Sequence, residues 1–200
     1  MKKVAIVYWS GTGNTAAMAQ LVKKGVIEGG AAPTILEASD FGPARLGEFD
    51  AVIFGCPAMG AEELEPDEFE PMFADCEKQL KGRTVGLFGS YEWNEGEWME
   101  TWQERTEADG ANVVGAVIAY DYPDAAAEEE CIGLGRGATA ASGQASNLRA
   151  GRPSQGRPAF SWPQRGRGAR PSRAPRQRRY PQCRPYSDNS ESMHRNTGTP

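Results

Sequence analysis

The sequence predicts an α/β fold, in which five parallel strands form one sheet with helices on both faces. Three observations predict it. Short β-branched runs alternate with longer segments of helical pattern. Three of the runs, at 4–8, 51–54 and 113–119, are almost continuously apolar, as expected of strands covered on both sides. Each long helical segment ends near a glycine, a common helix stop. Alternation of this kind builds a parallel sheet.

Taken in order, the strand candidates are KVAIVYWS, PTILEA, DAVIFGCPA, RTVGLFGSY and NVVGAVIAY. Between them lie NTAAMAQLVKKGVIEGG, a short ARLGEF, PDEFEPMFADCEKQLKG and EWMETWQERTEADG. Pro66 and Pro71 cannot both be interior to one helix, so the third of these segments is expected to turn helical near residue 67. DAAAEEECIGLGRGATAA is the one candidate for a closing helix. Asp124 starts it well as a cap, but Gly133, Gly135 and Gly137 each cost about 1 kcal/mol relative to alanine, so its second half is expected to be poor.

Charge divides the chain in two. Residues 1–140 hold 25 acidic against 10 basic side chains, while residues 141–200 hold 12 arginines, no lysine, and only Asp188 and Glu191. The expectation is a folded domain over 1–140 and a disordered Arg/Pro/Ser/Gly-rich tail over 141–200. Cys56, Cys76, Cys131 and Cys183 share no short spacing, which argues against a zinc knuckle or a CxxC redox pair and fits reduced thiols in the cytoplasm. No apolar stretch approaches a membrane span. The lone histidine, His194, lies in the tail, so the body lacks the commonest general base and metal ligand. No catalytic or metal-ligating set is expected.

In an open parallel sheet, ligands bind beyond the carboxyl ends of the strands, near the point where strand order reverses. The loops there read SGTGNT, CPAMGAEELE and SYEWNEGEWM. In the first, Gly11 and Gly13 permit a tight turn with inward N–H groups, Ser10, Thr12, Asn14 and Thr15 add side-chain donors, and the following helix adds its dipole. Two readings stand: a mould for a phosphate, or a turn capped by Asn14 or Thr15. No lysine or arginine is present, so the loop is not the P-loop of a nucleotide triphosphatase. In the third loop, Trp98 fits one helix face with Met99 and Trp102 and belongs to the core, whereas Trp93 precedes the helix and can stack on a planar ring. Met59 stands where a second wall would be needed.

On these residues the chain resembles the flavodoxins, small carriers of flavin mononucleotide (FMN). YWSGTGNT, GCPAMGxEELE, KGRTVGLFGSYxWxxGEWM and WxERTExxGAxVVG, with x for positions outside the match, agree in order and spacing, over residues 1 to about 137. The short IAYDYPDAAAE is similar to the short-chain members. The resemblance implies the sheet order 2-1-3-4-5, and a phosphate held by Ser10, Thr12, Gly13, Asn14 and Thr15. It places the flavin ring between Met59 and Trp93, with Pro57, Ala58 and Gly96 in the same loops. It makes Gly60 the residue whose peptide flips so that its carbonyl meets the N5–H of the semiquinone. Glu62 would accept from the ring N3–H, and the backbone of Ser90 and Tyr91 would line the pyrimidine edge. Three positions depart from the pattern: Ala61 replaces the usual acidic residue, and Glu92 and Asn94 replace small glycines.

The function implied is low-potential one-electron transfer between redox partners, by a monomer rather than an enzyme. The alternative is an FMN-dependent NAD(P)H:quinone oxidoreductase of the same fold. Glu62, Glu63, Glu65, Asp67, Glu68 and Glu70 follow one ligand loop and Glu92, Glu95, Glu97 and Glu100 crowd another. A carboxylate about 10 Å from the flavin opposes added negative charge by roughly 0.4–1.7 kcal/mol before screening. The same charges predict a basic docking surface on partner proteins. Arginines interleaved with Phe160, Trp162, Tyr180 and Tyr186 can bind single-stranded nucleic acid. Arginine without lysine is what a change of coding frame in a GC-rich gene produces, so the tail is read as an unstructured extension and nucleic acid is not expected as a partner.

Overall fold

The computed structural model describes the backbone of residues 1–148 and side chains through residue 142. The strands are β1 (Lys3–Tyr8), β2 (Ala32–Glu37), β3 (Ala51–Gly55), β4 (Thr84–Tyr91) and β5 (Asn112–Tyr120). They form one parallel sheet in the order β2-β1-β3-β4-β5. The helices are α1 (Asn14–Glu28), α2 (Phe69–Glu77), α3 (Glu97–Ala108) and α4 (Ala125–Leu148), and all of ARLGEF but its final Phe49 lies in a 3-10 helix over Pro43–Glu48.

The two faces of the sheet follow from the two-residue period of a strand. Ala5, Val7, Val52, Phe54, Val85 and Leu87 point to one side, where α2 and α3 contribute Phe69, Phe73, Trp98, Met99 and Trp102. Phe54 and Trp102 both meet Phe73 edge-on, at 5.2 and 5.5 Å. Val4, Ile6, Ala51, Ile53 and Phe88 point the other way, onto Met18, Val22 and Val26 of α1 and Cys131, Leu134 and Ala138 of α4. The central strand β3 is buried throughout, which is why its sequence shows no polar alternation.

The helix starts show how local chemistry sets boundaries. Helix α2 begins at Phe69, slightly later than the expected position near 67. The Glu65 carboxylate takes the amides of Asp67, Glu68 and Phe69 at 2.9–3.0 Å, so these residues form the turn before the helix. Pro71 occupies its first turn, where no N–H partner is needed. Asp124 caps α4 as expected, accepting from Ala126 and Ala127 at 3.1 and 2.9 Å.

The expected weakness in the second half of α4 is not found. The helix runs unbroken through Gly133, Gly135 and Gly137, and passes residue 140, where the domain boundary was expected. The physical reason is contact with α1. A Cβ on Gly135 would stand 2.3 Å from the Val22 carbonyl oxygen, and one on Gly25 would stand 2.0 Å from that of Ile132. The two helices pack backbone against backbone, so part of what reads as helix-breaking composition is the surface of a close crossing. Most of the tail, residues 149–200, lies outside the described residues.

Cys56, Cys76 and Cys131 are free and buried. Burial raises all three thiols, Cys76 and Cys131 to about 12, which leaves them protonated and unreactive near neutral pH. Among the described residues no helix is long and apolar enough to cross a membrane.

Candidate functional site

Because β1, β3 and β4 are neighbours in the sheet, the three loops singled out in the sequence emerge side by side. Backbone hydrogen bonds join their bases: Trp9 N–H to Gly55 carbonyl at 3.0 Å, Cys56 N–H to Phe88 at 3.0 Å, and Ala58 N–H to Ser90 at 2.9 Å. The site therefore straddles the point where strand order reverses, between β1 and β3.

The first loop turns into α1 through Gly13, whose φ of +97° is left-handed. Nothing lies within 4 Å of a Cβ built on it. Ser10 Oγ accepts from the amides of Gly13 and Ala16 at 3.1 and 3.3 Å. The amides of Thr12, Asn14 and Thr15 have no partner among the described residues. Neither Asn14 nor Thr15 caps α1 through its side chain. The amides of Thr12, Asn14 and Thr15 are thus left unpartnered at the positive end of α1, where an anion can be accommodated.

Two further contacts hold the loop. Thr15 is 1% exposed, and its hydroxyl meets that of Ser90 at 3.0 Å. Asn14 Nδ2 donates to Asp121 Oδ1 at 2.8 Å. Asp121, directly after β5, lies outside the three loops to which the sequence points. Its position beyond a strand's carboxyl end was the available signal.

In the second loop Pro57 is half-buried and Ala58 buried. Met59 and Glu63 exchange backbone hydrogen bonds at 2.9 Å in both directions, closing a tight hairpin with Gly60, Ala61 and Glu62 at its tip. Gly60 is exposed with φ +49° and open space around it. Glu62 is left-handed as well, at +61°. Its carboxylate does not point freely into solvent: Oε1 accepts from Asn94 Nδ2 at 3.0 Å and Oε2 from the Trp98 amide at 2.9 Å.

The third loop separates its two tryptophans as their positions suggested. Trp93 is 42% exposed, while Trp98 is 2% exposed and packs on Tyr91 at 5.6 Å. The carbonyls of Ser90 and Tyr91 already accept from Ala58 and Asp121. Gly96 is buried at the start of α3, with φ +96°. The non-glycine residues with positive φ among the described residues are Glu62 and Asn94, on the second and third loops, and Asp121, directly after β5. Each is held by a hydrogen bond to another loop, and strain so placed is characteristic of ligand sites.

The acidic residues do not act as one group. Glu65 is 4% exposed, and although burial raises its carboxyl, the amides of Phe69, Glu68 and Asp67 outweigh this and hold it below the usual value. Glu70 and Glu77 both engage Arg105, at 2.8 and 2.6 Å. Glu63, Asp67, Glu68, Glu92, Glu95, Glu97 and Glu100 are exposed. A cavity of about 290 Å³ opens on the α2–α3 side, lined by Glu62, Leu64, Pro66, Trp98 and Arg105 among others. The Arg105 guanidinium in its lining is already paired with two carboxylates.

The unpartnered amides and the left-handed Gly13 fit a phosphate-bearing cofactor, and the exposed Trp93 indole fits a planar ring. Comparison with known proteins agrees. The family model for flavodoxins matches residues 6–135. The chain is 48% identical to the flavodoxin of Megasphaera elsdenii over 138 residues, covering 69% of this chain and 99% of that one. It is 45% identical to the flavodoxin of Clostridium beijerinckii, over 66% of this chain and 95% of that one. The solution structure of two-electron reduced Megasphaera elsdenii flavodoxin superposes with a TM-score of 0.65 at 47% identity, covering 68% of this chain and 98% of that one. A flavodoxin from the domain Archaea, at 23% identity and a TM-score of 0.61, shares the fold. With a family match across almost the whole described body, this chain belongs to the flavodoxin family.

Proposed function

We propose that this flavodoxin, an FMN-binding electron carrier rather than an enzyme, holds the cofactor's phosphate in Ser10, Thr12, Gly13, Asn14 and Thr15 and its ring between Met59 and Trp93. The observation that carries the placement is the paired behaviour of the loops. One presents unpartnered amides at the α1 N-terminus, and another holds an indole 42% exposed where apolar side chains are normally withdrawn.

Bound FMN supplies the one-electron chemistry. The chain's own residues bind it, orient it and set its electrostatic surroundings. Uncharged amides stabilise the phosphate in a loop that carries no lysine or arginine. Met59 and Trp93 restrict water on the two ring faces. Gly60, with its left-handed φ and open surroundings, presents a carbonyl that can turn toward the ring. Glu62 offers the acceptor for the ring N3–H, while Pro57, Ala58, Ser90, Tyr91 and Gly96 shape the loops around it.

Low potential is part of the proposal. Exposed carboxylates at Glu63, Glu92, Glu95, Glu97 and Glu100 oppose negative charge on the ring, each weakly because water and salt screen it. They also favour redox partners with basic docking surfaces. Negative charge over the body supports a monomer, and three buried unpaired thiols support a cytoplasmic location.

The test is titration of flavin-free protein with FMN and with riboflavin. FMN is expected to bind at least about a hundredfold more tightly, the phosphate contributing several charge-assisted hydrogen bonds. Equal affinity for the two would remove the phosphate from the Ser10–Thr15 loop.

A further inference from the structure

Glu62 and Asn94 lie on different loops, after β3 and after β4, yet both adopt left-handed backbones and meet through their side chains. Asn94 Nδ2 donates to Glu62 Oε1 at 3.0 Å, and the Trp98 amide donates to Oε2 at 2.9 Å. Asparagine is among the few side chains that tolerate this backbone region. The bridge spans the two loops assigned to opposite faces of the flavin ring.

We propose that Asn94 is a positioning residue: it holds the Glu62 carboxylate in place for the ring and sets how much the protein favours oxidised over two-electron-reduced FMN. The inference rests on the ring placement of the preceding section. Each carboxylate oxygen can accept more than one hydrogen bond. With Oε1 on Asn94 and Oε2 on Trp98, the carboxylate is fixed in plane and still has acceptor capacity for a ring N–H. A fixed acceptor loses less freedom on binding than a swinging one. The amide donor also draws negative charge from Glu62, so the carboxylate repels a reduced ring less than a bare one would. Removing Asn94 therefore weakens binding of both forms, and of reduced FMN more.

Two variants separate the effects. Asn94→Asp keeps the shape and the tolerance for left-handed backbone but faces Glu62 with a second carboxylate. Asn94→Gly keeps the backbone and removes the donor, and decides the matter if the aspartate variant does not fold. Flavin-free protein is titrated with oxidised FMN, and the midpoint potentials of the loaded protein are measured. The Kd for oxidised FMN is expected to rise about threefold in Asn94→Gly and about tenfold in Asn94→Asp. Affinity for two-electron-reduced FMN falls by about a further threefold, seen as lower midpoint potentials. In a Glu62→Gln background the added effect of Asn94→Asp disappears. Unchanged Kd and potentials in both variants, in a parent that binds FMN and loses affinity on Trp93→Ala, overturn the role of Asn94 alone. A parent indifferent to Trp93→Ala overturns the ring placement, and this inference with it.

Discussion

Asn14 and Asp121 lie 107 residues apart and are joined by a hydrogen bond of 2.8 Å, from the side-chain amide of the first to the carboxylate of the second. The contact ties the end of β5 to the opening turn of α1, and Asp121 is kept in its left-handed conformation by its own amide bond to the Tyr91 carbonyl. Asp121→Gly keeps the left-handed backbone and releases the Asn14 amide. FMN affinity is expected to fall about three- to tenfold, the worth of one oriented hydrogen bond. Riboflavin affinity should stay unchanged, because only the phosphate end is touched. Parallel fluorescence titrations with the two flavins check this.

Trp93 and Trp98 should respond oppositely to truncation. Trp93→Ala removes a 42% exposed ring and is expected to weaken FMN binding by more than tenfold, with little change in the melting temperature of flavin-free protein. Trp98→Ala empties a core position and should cost about 3–5 kcal/mol of stability. Equal FMN affinity in Trp93→Ala and the parent would remove the stacking role.

The glycines of α4 divide into two kinds. Gly135→Ala places a methyl 2.3 Å from the Val22 carbonyl oxygen and must push the two helices apart. Gly133 and Gly137 meet nothing within 4 Å. Gly135→Ala is expected to destabilise by about 2 kcal/mol or more, as overpacking does, while Gly133→Ala and Gly137→Ala should each stabilise by about 0.5–1 kcal/mol. Urea denaturation of the three variants tests the sign of each.

Glu65 gives the fold a defined acid sensitivity. Its carboxyl titrates below the ordinary value in the folded chain. Its contribution is therefore fully present above the unfolded value of about 4.3 and is lost as pH falls through the lower folded one. Glu65→Gln is expected to cost about 1–2 kcal/mol at pH 7, since the amide is a poorer cap for three backbone donors. The gap between variant and parent should narrow below about pH 4. A gap independent of pH in chemical denaturation would show that the carboxylate's charge is irrelevant.

Much of the architecture is legible in the sequence, because strand burial leaves a direct mark. The apolar runs 4–8, 51–54 and 113–119 fall within β1, β3 and β5, and the sheet order agrees with the family resemblance. Trp98, Met99 and Trp102 are readable as core from their spacing on one helix face, and they are buried. The Glu62–Asn94 and Asn14–Asp121 bridges are not readable, since no local pattern records which loops a parallel sheet brings together. Nor is the role of Glu65: among six acidic residues in ten positions, nothing in the spacing marks it as the one withdrawn from water.

By itself the sequence determines which stretches are strands, which loop carries glycines and hydroxyl donors without a basic residue, and which tryptophan lies outside a helix face. These follow from periodicity and from the donors and backbone freedom that residue types carry with them. Tertiary structure alone decides that Gly25 and Gly135 are a contact and not a flaw, that some acidic side chains are caps and ion-pair partners, and that the strained loop residues hold one another. Such outcomes depend on which surfaces meet, and a glycine or a glutamate takes its meaning from the atoms a few ångströms away rather than from its neighbours along the chain.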